Sequence, residues 1–346
     1  MKAVCVRQFG AIEAAEFTDV PDPVPGPGEV IVAVAAAEVN FPDILVMEGK
    51  YQIKPPLPFS PGKAAAGIVE AVGDGVTSPK PGDRVAVQVE YGAYAEKLKS
   101  AAATCYPMPD GMSFEDAAAL GLVYQAAHFA LAERAALSPG DSVLVLGASG
   151  GIGAASVQLA KALGAGLVIG GVLGDDNAAI AHAAGADHTI ELGMEGLRDG
   201  LRDAVRELTD GRGVDIIIDP VGGDANAAAL RAMAWRGRMV IIGFASGDIP
   251  TIRSNYLLVK NIAVSGLQWS DYRERETAWV ARVQEEIFAF WSAGKLTPRI
   301  SRTLPLAKFA DALTMLKEGR AHGKLILTVD RSDRDRPLIS RLNPIP

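Results

Sequence analysis

Two rhythms of apolar and polar residues follow one another along the chain. From Met1 to about Leu120, short apolar runs alternate with turn residues. Met1 to Val6 begins as a strand-like run. The stretch after Val20 is broken by Pro21, Pro23, Pro25 and Pro27, and Ile31 to Ala37 follows as an apolar strand. Ile68 to Val72 and Arg84 to Val89 read likewise, separated by Gly-Asp-Gly and Pro-Gly-Asp turns. Many short strands with few helical periods predict a small β-rich, barrel-like unit.

The rhythm changes near Phe114. Asp116 to Ala135 carries helical periodicity, and Ser138-Pro139-Gly140-Asp141 ends it. Strand and helix then alternate. Ser142 to Leu146 reads as a buried strand and Ile152 to Leu163 as an Ala-rich helix. Leu167 to Gly171, His188 to Glu191, Val214 to Asp219, Arg238 to Ile242 and Ile262 to Gly266 are further strands. This alternation predicts a doubly wound parallel sheet of α/β class. Beyond it, Thr277 to Ala293 and Leu306 to Glu318 read as amphipathic helices and Lys324 to Val329 as a last strand. The Arg- and Pro-rich stretch from Asp330 onward is expected to be a loose extension.

Composition narrows the function. The chain has 346 residues, long for one core, and its 49% hydrophobic and 22% charged content is that of a globular protein. A net charge of −7 gives no broad basic field for a phosphate backbone, so a nucleic-acid partner is not expected. Two cysteines, Cys5 and Cys105, cannot build a multi-cysteine metal site or a disulfide framework. No apolar stretch is long enough to span a membrane, and no basic-then-apolar leader opens the chain, so a cytoplasmic protein is expected.

The chemistry is concentrated in Gly147-Ala148-Ser149-Gly150-Gly151-Ile152-Gly153, which follows the Ser142 to Leu146 strand and opens a helix at once. Glycines at this turn allow backbone to approach a pyrophosphate, and the helix N-terminus offers free N–H groups and a positive dipole. A dinucleotide is therefore the expected cofactor. The second strand ends Val168-Ile169-Gly170-Gly171, with Asp175 and Asp176 a few residues on and no Lys or Arg between Lys161 and Arg198. On these residues NADH and NADPH both stay open.

Further motifs carry a resemblance that covers nearly the whole chain. Asn40-Phe41-Pro42-Asp43 followed by Gly49-Lys50-Tyr51 is similar to the Asn-x-x-Asp…Gly-x-Tyr segment of quinone oxidoreductases. Pro61-Gly62…Gly67-Ile68-Val69 and Lys80-Pro81-Gly82-Asp83-Arg84-Val85 resemble the N-terminal domain of the medium-chain dehydrogenase/reductase superfamily. Gly147 to Gly153, Asp219-Pro220-Val221-Gly222-Gly223, Gly237-Arg238 and Gly243-Phe244 resemble its cofactor domain. The chain thus resembles the zinc-free quinone oxidoreductase (zeta-crystallin-like) branch. The resemblance implies a GroES-like catalytic domain over residues 1–120 and 267–330, split around a Rossmann dinucleotide-binding domain over 121–266, with a tail over 331–346.

The resemblance also implies roles. The positions of the catalytic metal's Cys and His in zinc alcohol dehydrogenases are Asn40 and Lys63 here, and the neighbouring Glu is Ala64, so no zinc and no metal ligand is expected. Asn40, Asp43 and Tyr51 match the family's pocket residues and are the expected catalytic set. Val123, Ser149, Gly150, Gly151, Ile152, Gly170, Asn177, Phe244, Ala245, Leu267, Trp269 and Arg320 are expected to line the cofactor. Leu45, Met47 and Val123 stand where the family has polar residues, which implies a more apolar pocket. Asn177 and Leu192 replace a lysine and a tyrosine of the 2′-phosphate site, while Arg320 is kept. NADPH is the donor the family implies, with NADH as an alternative. Small quinones, or the carbon-carbon double bond of an enone or 2-alkenal, are the implied acceptors. A non-catalytic NADPH-binding sensor is the reading from another class. The exposed edge of Ile262 to Gly266 implies a homodimer.

Overall fold

The structure, a computed structural model, describes residues 1–329. The Arg-rich tail expected from Asp330 onward lies outside the described residues. No helix among them is long and apolar enough to cross a membrane.

Six parallel strands form one sheet. From edge to edge they are His188–Glu191, Leu167–Val172, Ser142–Leu146, Val214–Asp219, Met233–Ile241 and Ala263–Gly266. In chain order this is 3-2-1-4-5-6, the dinucleotide-binding arrangement, whose crevice opens where the order reverses, beyond Leu146 and Asp219. Side-chain alternation along Ser142–Leu146, buried on both faces, explains why it is apolar after its first residue. Leu144 and Leu146 enter one core with Ile169, Leu201, Val205 and Ile217. Val143 and Val145 enter another with Val157, Leu159, Ile216 and Val240. Both faces are covered, so each such Leu or Ile is shielded from water and contributes about 2 kcal/mol.

The second sheet is antiparallel except at one edge. Its order is Ile300–Pro305, Lys324–Thr328, Glu29–Val39, Ala64–Val72, Arg84–Gln88 and Cys105–Pro107, with Lys97–Ala101 also pairing Glu29–Val39. Chain from both ends of the sequence therefore builds this sheet around the six-stranded one. The two meet in a continuous core, because Ala36, Ala66, Ala86 and Tyr106 of this sheet share a cluster with Val123, Phe129, Trp269 and Ile287.

Several elements differ from the sequence expectation. The helical run expected over Asp116 to Ala135 is broken into Phe114–Ala119 and Leu122–His128, followed by π-helical Phe129–Arg134. Ser113 caps the first piece with its hydroxyl, and Gly121, at ψ −110°, leaves helical geometry between the two. The Lys97–Ala101 strand was not expected. It alternates buried Leu98 and Ser100 with outward lysines, so its apolar signal is weak. Phe41–Met47 is a helix with Pro at its first turn. The strand expected at Arg238 begins earlier, at Met233. The last parallel strand lies at the sheet edge as expected, with no further partner strand among the described residues.

Candidate active site in the cleft between the sheets

The glycine-rich turn is shaped by backbone crowding. Gly147 adopts φ +62°, Gly150 N–H donates to Gly147 O at 3.0 Å, and the helix Gly151–Ala162 opens at the next residue. A Cβ on Gly153 would stand 2.0 Å from Gly147 O, so helix and strand approach this closely only over glycine. The first-turn N–H groups of this helix have no carbonyl partner within it and face the mouth of the crevice. Ser149, Gly150, Gly151 and Ile152 are all partly or fully exposed there. Gly170, by contrast, lies buried in its strand, where a Cβ would press on Ala148 and Ala181. It admits the turn rather than touching the mouth.

The catalytic sheet brings a polar cluster to the same place. Strand Glu29–Val39 ends at Asn40, which caps the helix Phe41–Met47. Its antiparallel neighbour begins with Lys324, whose Nζ lies 2.8 Å from Asn40 Oδ1, 3.3 Å from Val39 O and 2.6 Å from Glu38 Oε1. Asn40 Nδ2 in turn donates to Glu38 Oε2 at 3.0 Å. Glu38 is wholly buried. Burial pushes its carboxyl upward, and the Lys324 ammonium opposes that. A Cβ on Gly151 would meet Lys324 Nζ at 3.7 Å and Val123 Cγ1 at 3.7 Å. The start of the dinucleotide helix, Val123, Lys324 and Asn40 are thus one site.

Asp43 sits one turn into its helix and is buried. Its Oδ2 accepts the Asn40 backbone N–H at 2.8 Å and the Tyr94 hydroxyl at 2.8 Å. Desolvation pushes its carboxyl up to about 6. Its partners make it a brace for the Asn40 turn. Met47 is packed in the core beside Ile44 and Val46 instead of lining open space.

Tyr51 faces the opposite wall. Its side chain interacts with Gln268 and Ser270, in the segment after the last parallel strand. The Lys63 Nζ lies 4.4 Å from the Tyr51 ring centroid. Lys63 is 2% exposed and pairs with Glu90, through both its carboxylate and, at 3.1 Å, its carbonyl. Glu90 also accepts Arg273 Nη2 at 2.6 Å, so a strand-end loop of the antiparallel sheet is bonded to helix Trp269–Arg275. Trp269 is buried under that arginine and Leu267 is buried beside it, its N–H bonded to Ile241 O. Phe244 is 40% exposed at the crevice, and Ala245 N–H donates to Pro220 O.

The residues that the resemblance assigns to the adenosine end include few cations. Asn177 is half-buried and its amide donates to Leu173 O. Nearby, Glu191 accepts the N–H groups of Gly174 and Gly193, which hold its carboxyl below the usual range. Arg320 is exposed, pairs with Glu318, and lines a surface cavity of about 590 Å³ with Arg299, Arg302 and His322.

Sequence reasoning did not single out Glu38, Tyr94, Glu90, Arg273 or Lys324, and it read Lys63 only as a lost ligand. Each is an ordinary charged or aromatic residue until its partner is known. Among the described residues no group of three or more His, Cys, Asp or Glu side chains could hold a metal ion.

Residues 26–171 match the family described as "Alcohol dehydrogenase GroES-like domain", and residues 151–285 the one described as "Zinc-binding dehydrogenase". Over 309 residues the chain is 37% identical to "Quinone oxidoreductase-like protein 2" of Mus musculus, covering 89% of this chain and 87% of that one. Among solved structures it resembles a Pseudomonas syringae quinone oxidoreductase, with 34% identity, TM-score 0.86, and 94% and 99% of the two chains covered. It also resembles Escherichia coli quinone oxidoreductase complexed with NADPH, with 29% identity, TM-score 0.87, and 95% and 100% covered.

Proposed function

Because the chain belongs to the quinone oxidoreductase-like family of medium-chain dehydrogenases/reductases and is an NAD(P)H-dependent oxidoreductase, we propose that it reduces quinones by hydride transfer in the cleft between its two sheets, without a metal ion. The observation that carries this is the meeting of Gly151 with Lys324 and Val123 beside Asn40. A dinucleotide bound at the glycine-rich turn supplies the hydride from its dihydronicotinamide ring. The residues fit such a group: the turn is free of side chains where a pyrophosphate would lie, and the helix dipole favours negative charge there.

The chain's own residues then bind, orient and exclude water. Ser149, Gly151 and Ile152 would present backbone N–H groups to the phosphates, while Gly150, whose N–H is bonded to Gly147 O, leaves room for them. Val123, Phe244, Ala245, Leu267 and Trp269 supply apolar wall, and a drier site strengthens each polar contact made inside it. The Tyr51 hydroxyl is the hydrogen-bond donor for the acceptor's oxygen as negative charge develops on it. The Asn40 amide has one N–H left after its bond to Glu38 and is the second donor. Asp43 acts by holding Asn40, not by touching the acceptor.

Metal independence is supported by the donor set. Lys63 cannot serve as a zinc ligand while its ammonium is paired with Glu90, and the Asn40 oxygen is already taken by Lys324. NADPH is the proposed donor, because the related E. coli structure holds it and Arg320 offers a cation for a 2′-phosphate. A homodimer through the edge strand Ala263–Gly266 is supported by the exposed apolar residues Leu258 and Val259 just before it.

The test is absorbance-monitored cofactor oxidation in chelator-containing buffer, crossing NADPH and NADH with an ortho-quinone and a conjugated enone. Turnover of the quinone with NADPH is the expected result. Turnover of the enone alone would replace the acceptor class. Cofactor binding with no turnover would make the chain a nucleotide-binding sensor.

A further inference from the structure

Three charged side chains, Lys63, Glu90 and Arg273, stand behind Tyr51. Lys63 and Arg273 both pair with Glu90, and Arg273 also reaches Glu274 at 3.7 Å, so the carboxylate facing the Lys63 ammonium is shared and only partly offsets its charge. Lys63 and Arg273 are 2% and 6% exposed on their side chains and Glu90 12%, which keeps water from screening that charge. The Lys63 ammonium spends its bonds on the Glu90 carbonyl and carboxylate and turns toward the face of the Tyr51 ring. The cluster also joins the two walls of the cleft, since Glu90 comes from one and Arg273 from the other.

We propose that Lys63 is a positioning residue of the reaction: through the face of Tyr51 it fixes the ring and lends positive charge to the hydroxyl that meets the acceptor's oxygen. The inference rests on the reductase reading above and deepens it. In the reduction, a hydride adds to a carbon of the acceptor and the displaced π electrons collect on its oxygen. That oxygen takes the proton of the Tyr51 O–H, and the phenolate left behind is reprotonated by water. A cation 4.4 Å from the ring stabilises the phenolate-like charge during this step, an attraction that is stronger when desolvated. The charged groups facing Tyr51 are Lys63 over its ring, Glu90 and Arg273, and Asp43 acts on Lys63; burial and then Glu90 push the Tyr51 hydroxyl up, while Gln268, Ser270 and Arg273 oppose that. Burial lowers the proton affinity of Lys63 from the ordinary lysine value, and Glu90 opposes that.

The test compares Lys63→Met, Lys63→Arg and Tyr51→Phe with the wild-type enzyme, using whichever donor and acceptor the wild type turns over. Lys63→Met is expected to lower kcat 10- to 100-fold with cofactor Kd unchanged. In the Tyr51→Phe background the same change should cost less than 3-fold. Lys63→Arg should keep kcat within about 5-fold and remove the loss of activity that follows Lys63 deprotonation at alkaline pH. A folded Lys63→Met enzyme with wild-type kcat would overturn the proposal. So would an equal loss with and without Tyr51, which would mark a purely structural lysine. Should Lys63→Met fail to fold, the Arg variant decides, and an unchanged alkaline limb would overturn it. Absence of wild-type turnover instead overturns the reductase reading, which is a separate outcome.

Discussion

Tyr94 donates its hydroxyl to Asp43 at 2.8 Å, and both side chains are sealed from solvent. The carboxyl is pushed up to about 6 by desolvation, against the bonds that stabilise its charged form. The folded state therefore prefers protonated Asp43. Its stabilising contribution is present below the ordinary value of 3.8 and is lost as pH rises through about 6. Asp43→Asn keeps an oxygen for both donors and cannot ionise. Wild type is expected to lose up to about 3 kcal/mol relative to this variant between pH 4 and pH 6. Thermal melts of the two proteins across that range check it, and parallel curves would refute it.

The glycine-rich turn separates packing from binding. At Gly153 a Cβ would collide with Gly147 O, so Gly153→Ala is expected to lower Tm by several degrees. At Gly151 a Cβ meets only ordinary contacts, the nearest at 3.6 Å on Lys324, so Gly151→Ala should melt like the wild type. It should nevertheless weaken cofactor binding at least 10-fold, because the methyl group stands where a phosphate needs the backbone. Fluorescence titration with NADPH distinguishes the two variants.

Arg320 is the proposed cation for the 2′-phosphate, and Asn177 and Leu192 offer none. Arg320→Ala should raise the KM for NADPH 5- to 10-fold and leave that for NADH unchanged. Equal effects on both cofactors would move the 2′-phosphate contact elsewhere, with Arg299 and Arg302 of the same cavity as the next residues to replace.

Leu258 and Val259 are 78% and 75% exposed at the end of the helix that leads into the edge strand. Replacing both with Glu is expected to convert a dimer to a monomer, with little change in the far-ultraviolet circular dichroism. Sedimentation velocity on the wild type and the variant measures it. A monomeric wild type would remove the dimer from the proposal.

The parallel sheet was legible because its central strands carry unbroken apolar runs: Val143–Leu146 and Ile216–Ile218 are buried on both faces, and their sequences say so. Half-covered elements were harder. Lys97–Ala101 hides only Leu98 and Ser100, and Phe41–Met47 opens with a proline and an aspartate that read as a turn. The site divides the same way. The glycine spacing announced the dinucleotide helix before any coordinates. The charged cluster was silent, because burial of a charge depends on a partner far away in sequence. Asn40 and Lys324 are 284 residues apart, and Glu90 and Arg273 are 183 apart. Local pattern cannot tell such a lysine from a solvated one.

The insertion of the C-terminal strand Lys324–Thr328 beside Glu29–Val39 also sets an order of events at the ribosome. The antiparallel sheet stays short of its Lys324 strand until nearly 300 residues beyond Glu38 have emerged, and Glu38 lacks the Lys324 ammonium until then. All six strands of the parallel sheet emerge well before that point. The nucleotide-binding half can assemble during synthesis, while the pocket that uses the nucleotide is closed only by a strand made after the whole parallel sheet.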